Sequence, residues 1–135
     1  MKTKTGAFPL RLPLSLKAAI EKLAAPDGTM WYTGHMGSLL GHLDPKTGKI
    51  TEYHTKTPIS GPHGLTMDKD GNVWYTGNFK GYIGKLDVKT GQFTDYLLPK
   101  TTNVRRVYVD NTTTPVTFWV GSNHGASIVK VTPLD

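Results

Sequence analysis

The sequence contains no cysteine, which excludes disulfides, thiolate nucleophiles and cysteine-bound zinc from its chemistry. It also lacks an apolar run near the roughly 20 residues that a membrane helix needs, because Pro9, Arg11, Pro13 and Lys17 interrupt the one candidate. We therefore expect no membrane association and no secretory signal peptide. The default expectation is a cytoplasmic protein, while a longer native N-terminus would be compatible with a periplasmic or secreted one.

Acidic residues are few, and the more numerous basic residues are scattered. Asp and Glu number 10 against 16 Lys and Arg, which gives a formal net charge of +6. Apart from the doublet Arg105-Arg106, the basic residues stand singly in turn-like sequence, without a basic stripe that interleaves aromatic residues. We expect no nucleic-acid partner, since binding to a phosphate backbone depends on clustered cations.

What the sequence does have is an internal repeat. Blocks 27–53 and 70–96 align without a gap, 43 residues apart, and both begin with the pattern DGxxWYTG. A looser third copy places Trp119 where the first two copies have Trp31 and Trp74. A repeat of this length indicates a supersecondary unit that stacks on copies of itself.

Each copy predicts four short β-strands joined by turns rich in Gly, Asp and Asn. A four-stranded meander repeated at this period is typical of a propeller blade. We therefore predict an all-β fold, a partial β-propeller of four-stranded antiparallel blades that occupies residues 26–135. Its repeats lie at about 26–60, 61–102 and 103–135.

The first 25 residues are predicted to form a separate N-terminal segment, 1–25, with a short helix. Ser15 can cap this helix and Pro26 can end it. Helical spacing puts four apolar residues on one face: Leu16, Ala19, Ile20 and Leu23. About three repeats are too few to close a ring of roughly four to eight blades, so we expect a truncated chain. A homo-oligomer is one way to complete the propeller.

One face of the predicted blades collects the polar residues. A meander alternates its connections between the two ends of a blade, so the loop before the first strand and the loop between the second and third strands emerge together. A small-molecule ligand is expected on this face, which carries His35, His63, Asn78, Arg105 and His124.

The string from Gly61 to Thr66, GPHGLT, followed by DGNVWYT, IGKLD and TGQFTDY in the same repeat, closely resembles the blades of the virginiamycin B lyase (streptogramin lyase) family. The resemblance covers residues 26–135. It implies a seven-bladed propeller and a lyase that linearises streptogramin B antibiotics by magnesium-dependent elimination at their ester linkage. Antibiotic resistance is the biological role that this activity implies.

The resemblance also implies site residues. The base of the family is the His of a Pro-His-Gly tripeptide, which matches Pro62-His63-Gly64, and an imidazole suits a base whose pKa should lie near the working pH. Mg²⁺ is implied as cofactor, held by two Glu side chains at positions that here are Gly61 and Gly77. A further histidine of the family aligns with Ile20 of this sequence. We therefore expect no metal ligands in this chain and no activity from this chain alone.

Two other functions stay open at this point. One is a non-catalytic propeller that binds a small molecule or a protein loop through the polar face. The other is a sugar-lactone-hydrolase-like propeller, which needs a metal held by Glu, Asp and Asn, whereas this face offers Asn78 and Asn123. Structural roles also stay open, since His63 can cap its strand beside Pro62 and Arg105 can pair with an acid across blades.

Overall fold

The computed structural model of the chain describes residues 16, 19, 21–99 and 103–134. The strands in this part of the chain are β1 (Lys22–Ala24), β2 (Met30–Gly34), β3 (Leu39–Leu43), β4 (Ile50–His54), β5 (Pro62–Met67), β6 (Val73–Gly77), β7 (Tyr82–Asp87), β8 (Gln92–Leu97), β9 (Val104–Asp110), β10 (Thr117–Ser122) and β11 (Ser127–Val131).

These strands form three antiparallel sheets in which sequence neighbours pair with one another. Their orders are β1-β2-β3-β4, β5-β6-β7-β8 and β9-β10-β11, and we call them blades 1, 2 and 3. Each blade is a meander, so the prediction of an all-β, partial propeller is confirmed. Within the described residues, no helix is long and apolar enough to cross a membrane.

The predicted N-terminal helix is wrong over its last residues. Lys22–Ala24 form strand β1, which pairs antiparallel with β2. The pairing continues one residue further, because the N–H of Thr33 donates to the carbonyl of Glu21 and the N–H of Glu21 donates to the Thr33 hydroxyl, both at 3.0 Å. Helical periodicity is a weak local preference, and the hydrogen bonds that the edge of β2 offers override it.

The rest of the helix prediction falls mostly on residues outside those described, including Ser15 and Ile20. Leu16 and Ala19 are described, and the N–H of Ala19 donates to the Leu16 carbonyl at 3.2 Å. Leu16 is buried and packs with the outer side of blade 1. Leu16 and Ala19 therefore cover the face of blade 1 that points away from blade 2.

The turn between the first two strands of blade 2 depends on an aspartate and a glycine. Asp68 accepts hydrogen bonds from the N–H groups of Asp70 and Asn72, both at 2.9 Å, and from the indole N–H of Trp74 at 2.7 Å. Gly71 takes a positive φ of 84° that the turn requires. The same carboxylate thus closes the turn and orients the tryptophan of the core.

The core lies between blades. Trp31 of blade 1 packs with Leu65, Val73, Tyr75 and Leu86 of blade 2. Trp74 of blade 2 is packed in the same way against blade 3, in a cluster of Val104, Val107, Val116, Phe118 and Val120. The interpretation of the repeated tryptophans as core residues holds for these two, whereas Trp119 is 44% exposed, because no described sheet covers its side of blade 3.

Candidate functional site

Three of the five residues predicted for the polar face come together, one from each blade. The ring centroids of His35 and His63 are 6.0 Å apart, with the rings nearly perpendicular. Nδ1 of His63 lies 2.9 Å from the backbone oxygen of Arg105. His35 follows β2, while His63 and Arg105 lie near the starts of β5 and β9, as the meander topology requires.

A β-bulge presents the key residue in both blade 2 and blade 3. Two residues of β5, His63 and Gly64, lie opposite the single residue Thr76 of β6. In β9, Arg105 is likewise the extra residue, opposite the step from Gly121 to Ser122. Bulges bend the strand and redirect side chains, and they are frequent beside active sites.

The backbone around His63 is held from both neighbouring blades. The hydroxyl of Thr33 in blade 1 donates to the His63 carbonyl at 3.4 Å, and the Thr76 hydroxyl accepts the N–H of Gly64 at 2.8 Å. On the other side, a Cβ atom at Gly64 would lie 2.7 Å from the Arg105 carbonyl oxygen. The close approach of blade 3 therefore requires glycine after His63.

The contact with Arg105 defines the tautomer of His63. A carbonyl oxygen can only accept a hydrogen bond, so Nδ1 of His63 is the donor in the 2.9 Å contact. A neutral imidazole with the proton on Nδ1 keeps its lone pair on Nε2. Nε2 is therefore the atom of His63 that can take a proton from a ligand.

The surroundings of His35 favour its neutral form. Burial lowers the pKa of His35 below its ordinary value of 6.5, and its neighbours His63 and Arg105 lower the pKa further. Its ring packs edge-on against Phe79, with 4.8 Å between centroids. Nε2 of His35 is buried and has no hydrogen-bond partner among the described residues.

Neither of the other two predicted residues lines the cavity beside His63. Asn78 is buried, its N–H donates to the Gly61 carbonyl at 3.2 Å, and its side-chain oxygen has no partner in the described part of the chain. His124 is exposed in the turn between β10 and β11. It does not line the cavity beside His63.

That cavity, of about 360 Å³, lies beside His63 of blade 2 along the polar end of blade 3. We call it the His63 cavity, and its lining residues are His63, Arg105, Arg106, Gly121, Ser122 and Asn123. Sequence reasoning missed Arg106, Gly121 and Ser122 as site residues. The feature of the sequence that could have indicated this part of the site is Gly121, which stands in the third copy where the first two have Thr33 and Thr76.

The residues present do not fit a magnesium site of the kind that the resemblance implies. Gly61 and Gly77 occupy the positions of the expected Glu ligands, and aromatic rings fill the space beside both. A Cβ atom would lie 2.5 Å from the Phe79 ring at Gly61 and 2.1 Å from the Tyr82 ring at Gly77. Over the residues described, no group of three His, Asp or Glu side chains could hold a metal ion.

Three stacked meanders with tryptophans between them and polar loops at one end define a segment of a β-propeller. The sequence model of the virginiamycin B lyase family matches residues 2–134. The chain therefore belongs to the virginiamycin B lyase family. No curated protein sequence matches it significantly.

Solved structures agree with this assignment. A streptogramin B lyase structure is 27% identical, with a TM-score of 0.78, over 93% of this chain and 40% of that protein. Virginiamycin B lyase from Staphylococcus aureus is 22% identical, with a TM-score of 0.73, over 94% of this chain and 44% of that one. A catalytically inactive variant of the same enzyme with quinupristin is also similar, with 22% identity and a TM-score of 0.70, over 86% of this chain and 41% of that one. The chain thus spans less than half the length of these lyases.

Proposed function

We propose that this chain supplies three blades and the catalytic base of a virginiamycin B lyase-type propeller, with streptogramin B antibiotics as substrates. The observation that carries the proposal is the hydrogen bond from Nδ1 of His63 to the Arg105 carbonyl. It orients the imidazole and leaves Nε2 as the proton acceptor. Family membership adds the reaction class, since a related lyase has been crystallised with quinupristin.

In the proposed reaction, Nε2 of His63 takes a proton from the carbon next to a carbonyl group of the substrate. The electrons of the broken C–H bond form a carbon–carbon double bond, and the neighbouring C–O bond of the ester breaks, with the carboxylate as leaving group. No water is added. The product is a linear isomer of the cyclic substrate.

Two features of the site support His63 in this role. The bonds from Thr33 and to Arg105 fix the backbone and the ring of His63, which lowers the entropic cost of reaching a reactive geometry. The lowered pKa of His35 favours its uncharged form, which adds no positive charge beside the base. A magnesium ion would need ligands from outside the described residues, and we assign it no step.

The proposed ring needs further blades, from a longer chain or from a second copy. The outer side of blade 3 supports this, since Tyr108, Trp119 and Ile128 are 77%, 44% and 74% exposed there. These side chains occupy the side of the sheet on which blades 1 and 2 contact the next blade. Molar mass from size-exclusion chromatography with light scattering tests for self-assembly, for which a discrete oligomer is the expected result.

The activity is tested by incubating the assembled protein with quinupristin, with and without Mg²⁺, and separating the products by liquid chromatography with mass spectrometry. An elimination product elutes differently from quinupristin but has the same mass. We expect His63→Ala to abolish it and His124→Ala, a matched change outside the cavity, to retain it.

Three results would contradict the proposal. Full activity in His63→Ala would remove His63 as the base. A product heavier by one water would indicate the lactone-hydrolase alternative. Saturable binding of quinupristin without any product would indicate a non-catalytic binding propeller.

A further inference from the structure

Blade 3 departs from the repeat at one position that lines the His63 cavity. In blades 1 and 2, a buried threonine of the second strand, Thr33 or Thr76, accepts a hydrogen bond from the N–H of Glu21 or Gly64. Blade 3 has Gly121 at this position. A Cβ atom there would meet no other atom within 4 Å, and no positive φ requires glycine. Gly121 follows Trp119 by two residues on β10, so this open space lies on the side of blade 3 that no described sheet covers.

Two arginines line the His63 cavity. Strand alternation would send adjacent residues to opposite sides of the sheet, but the bulge at Arg105 lets both Arg105 and Arg106 line the cavity. Nε of Arg105 donates to the side-chain oxygen of Asn103 at 3.1 Å, a bond that orients the guanidinium without using its Nη donors. Both arginines are solvent-exposed.

The other lining residues are compatible with an anion. Ser122 and Asn123 can donate hydrogen bonds, and none of the six lining residues is acidic. His35, which lies against His63, is influenced by the positive charge of Arg105. The local charge on this part of the face is therefore positive without a bound metal.

We propose that the His63 cavity is an oxyanion site that binds a carboxylate or phosphate group directly through Arg105 and Arg106. The planar guanidinium forms paired hydrogen bonds with either group. The site shares its face with the proposed base, but anion binding does not require the elimination to occur. It gives this propeller a preference for ligands that carry an anionic group.

The test is a titration of the ¹⁵N-labelled chain with inorganic phosphate and, separately, with acetate, followed by amide chemical shifts. EDTA is present throughout, and sodium chloride holds the ionic strength constant. We expect saturable shifts at Gly121, Ser122 and Asn123. Tighter binding of phosphate would indicate a phosphate-bearing ligand, and tighter binding of acetate a carboxylate.

Variants locate the site. Arg105→Gln and Arg106→Gln should each weaken binding by about tenfold or more, the loss expected for a charge-assisted hydrogen bond. Gly121→Thr, which introduces the residue of the other blades, should block the cavity. Lys89→Gln removes one positive charge from an exposed turn at the opposite end of the blades and should leave binding unchanged.

Absence of saturable shifts, an equal loss in Lys89→Gln, or unchanged binding in both arginine variants would overturn the proposal. If Gly121→Thr disturbs the fold, the two arginine variants, which lie at exposed positions, still test the proposal. The quinupristin assay is independent of this titration, so a failure of the lyase proposal and a failure of the oxyanion proposal give different results.

Discussion

Blades 2 and 3 share a strand order and a bulge, but the tryptophan at the equivalent position is buried in blade 2 and exposed in blade 3. Trp74 is 2% exposed, and its ring lies 4.0 Å from that of Phe118 in the next blade. Trp119 is 44% exposed, with the Lys130 ammonium 5.6 Å above its ring. A tryptophan at this position is thus buried by the following blade, as expected where each repeat completes the core of its neighbour.

The two blades also differ on the polar face. Blade 2 presents His63 from its bulge and has Thr76 opposite, whereas blade 3 presents Arg105 and has Gly121. The residues that form the strands and turns of the repeat are retained between these blades, whereas the residues on the polar face differ. Departures from a repeat are therefore the positions at which to look for function.

The largest expected effect is the difference in the free energy of unfolding between variants of the two tryptophans. Trp74→Ala removes a buried side chain between blades and should lower the free energy of unfolding by about 3–5 kcal/mol. Trp119→Ala should cost less than about 1 kcal/mol, since its surroundings are half open. Urea denaturation followed by circular dichroism measures both. Equal losses would contradict the account of the core.

A second comparison concerns two glycines. The Tyr75 ring covers Gly84, where a Cβ atom would lie 2.1 Å from it, while Gly121 has open space. Gly84→Ala should destabilise the protein by about 3 kcal/mol through overpacking. Gly121→Ala is the matched control, with a change within about 0.5 kcal/mol. Thermal unfolding by calorimetry would detect the difference, and a tolerated Gly84→Ala would refute it.

The buried threonine of blade 2 gives a smaller effect. Thr76→Val keeps the shape of the side chain but removes the acceptor for the N–H of Gly64, at a cost of about 1–2 kcal/mol. Thr51→Val, on the outer strand of blade 1, serves as control. Hydrogen exchange of the Gly64 amide should accelerate in the first variant and stay unchanged in the second.

The smallest effect is a pH dependence. Because burial and neighbouring cations lower the pKa of His35 from 6.5, the unfolded chain binds more protons than the folded one as the pH falls through that value. Stability is therefore retained above about pH 6.5 and declines below it. His35→Asn should flatten the decline of the urea midpoint between pH 7 and pH 5. An unchanged slope would show that His35 does not contribute.

Much of this organisation could be predicted from the repeat. Turn residues and alternation give the meanders, and the meander fixes which loops share a face, on which the structure brings His35, His63 and Arg105 together. Strand β1 could not be predicted, because its helical spacing is local while its pairing with β2 depends on the folded chain. Arg106 was missed for a similar reason, since a bulge is not visible in strand alternation.

The measurement that tests the central claim most directly is the tautomeric state of His63, read from long-range ¹H–¹⁵N correlation spectra at a pH where the ring is neutral. The hydrogen bond to the Arg105 carbonyl predicts a protonated Nδ1 and an unprotonated Nε2. The spectrum of His63→Ala assigns the signals. A proton on Nε2 would contradict both the hydrogen bond and the role of His63 as a base.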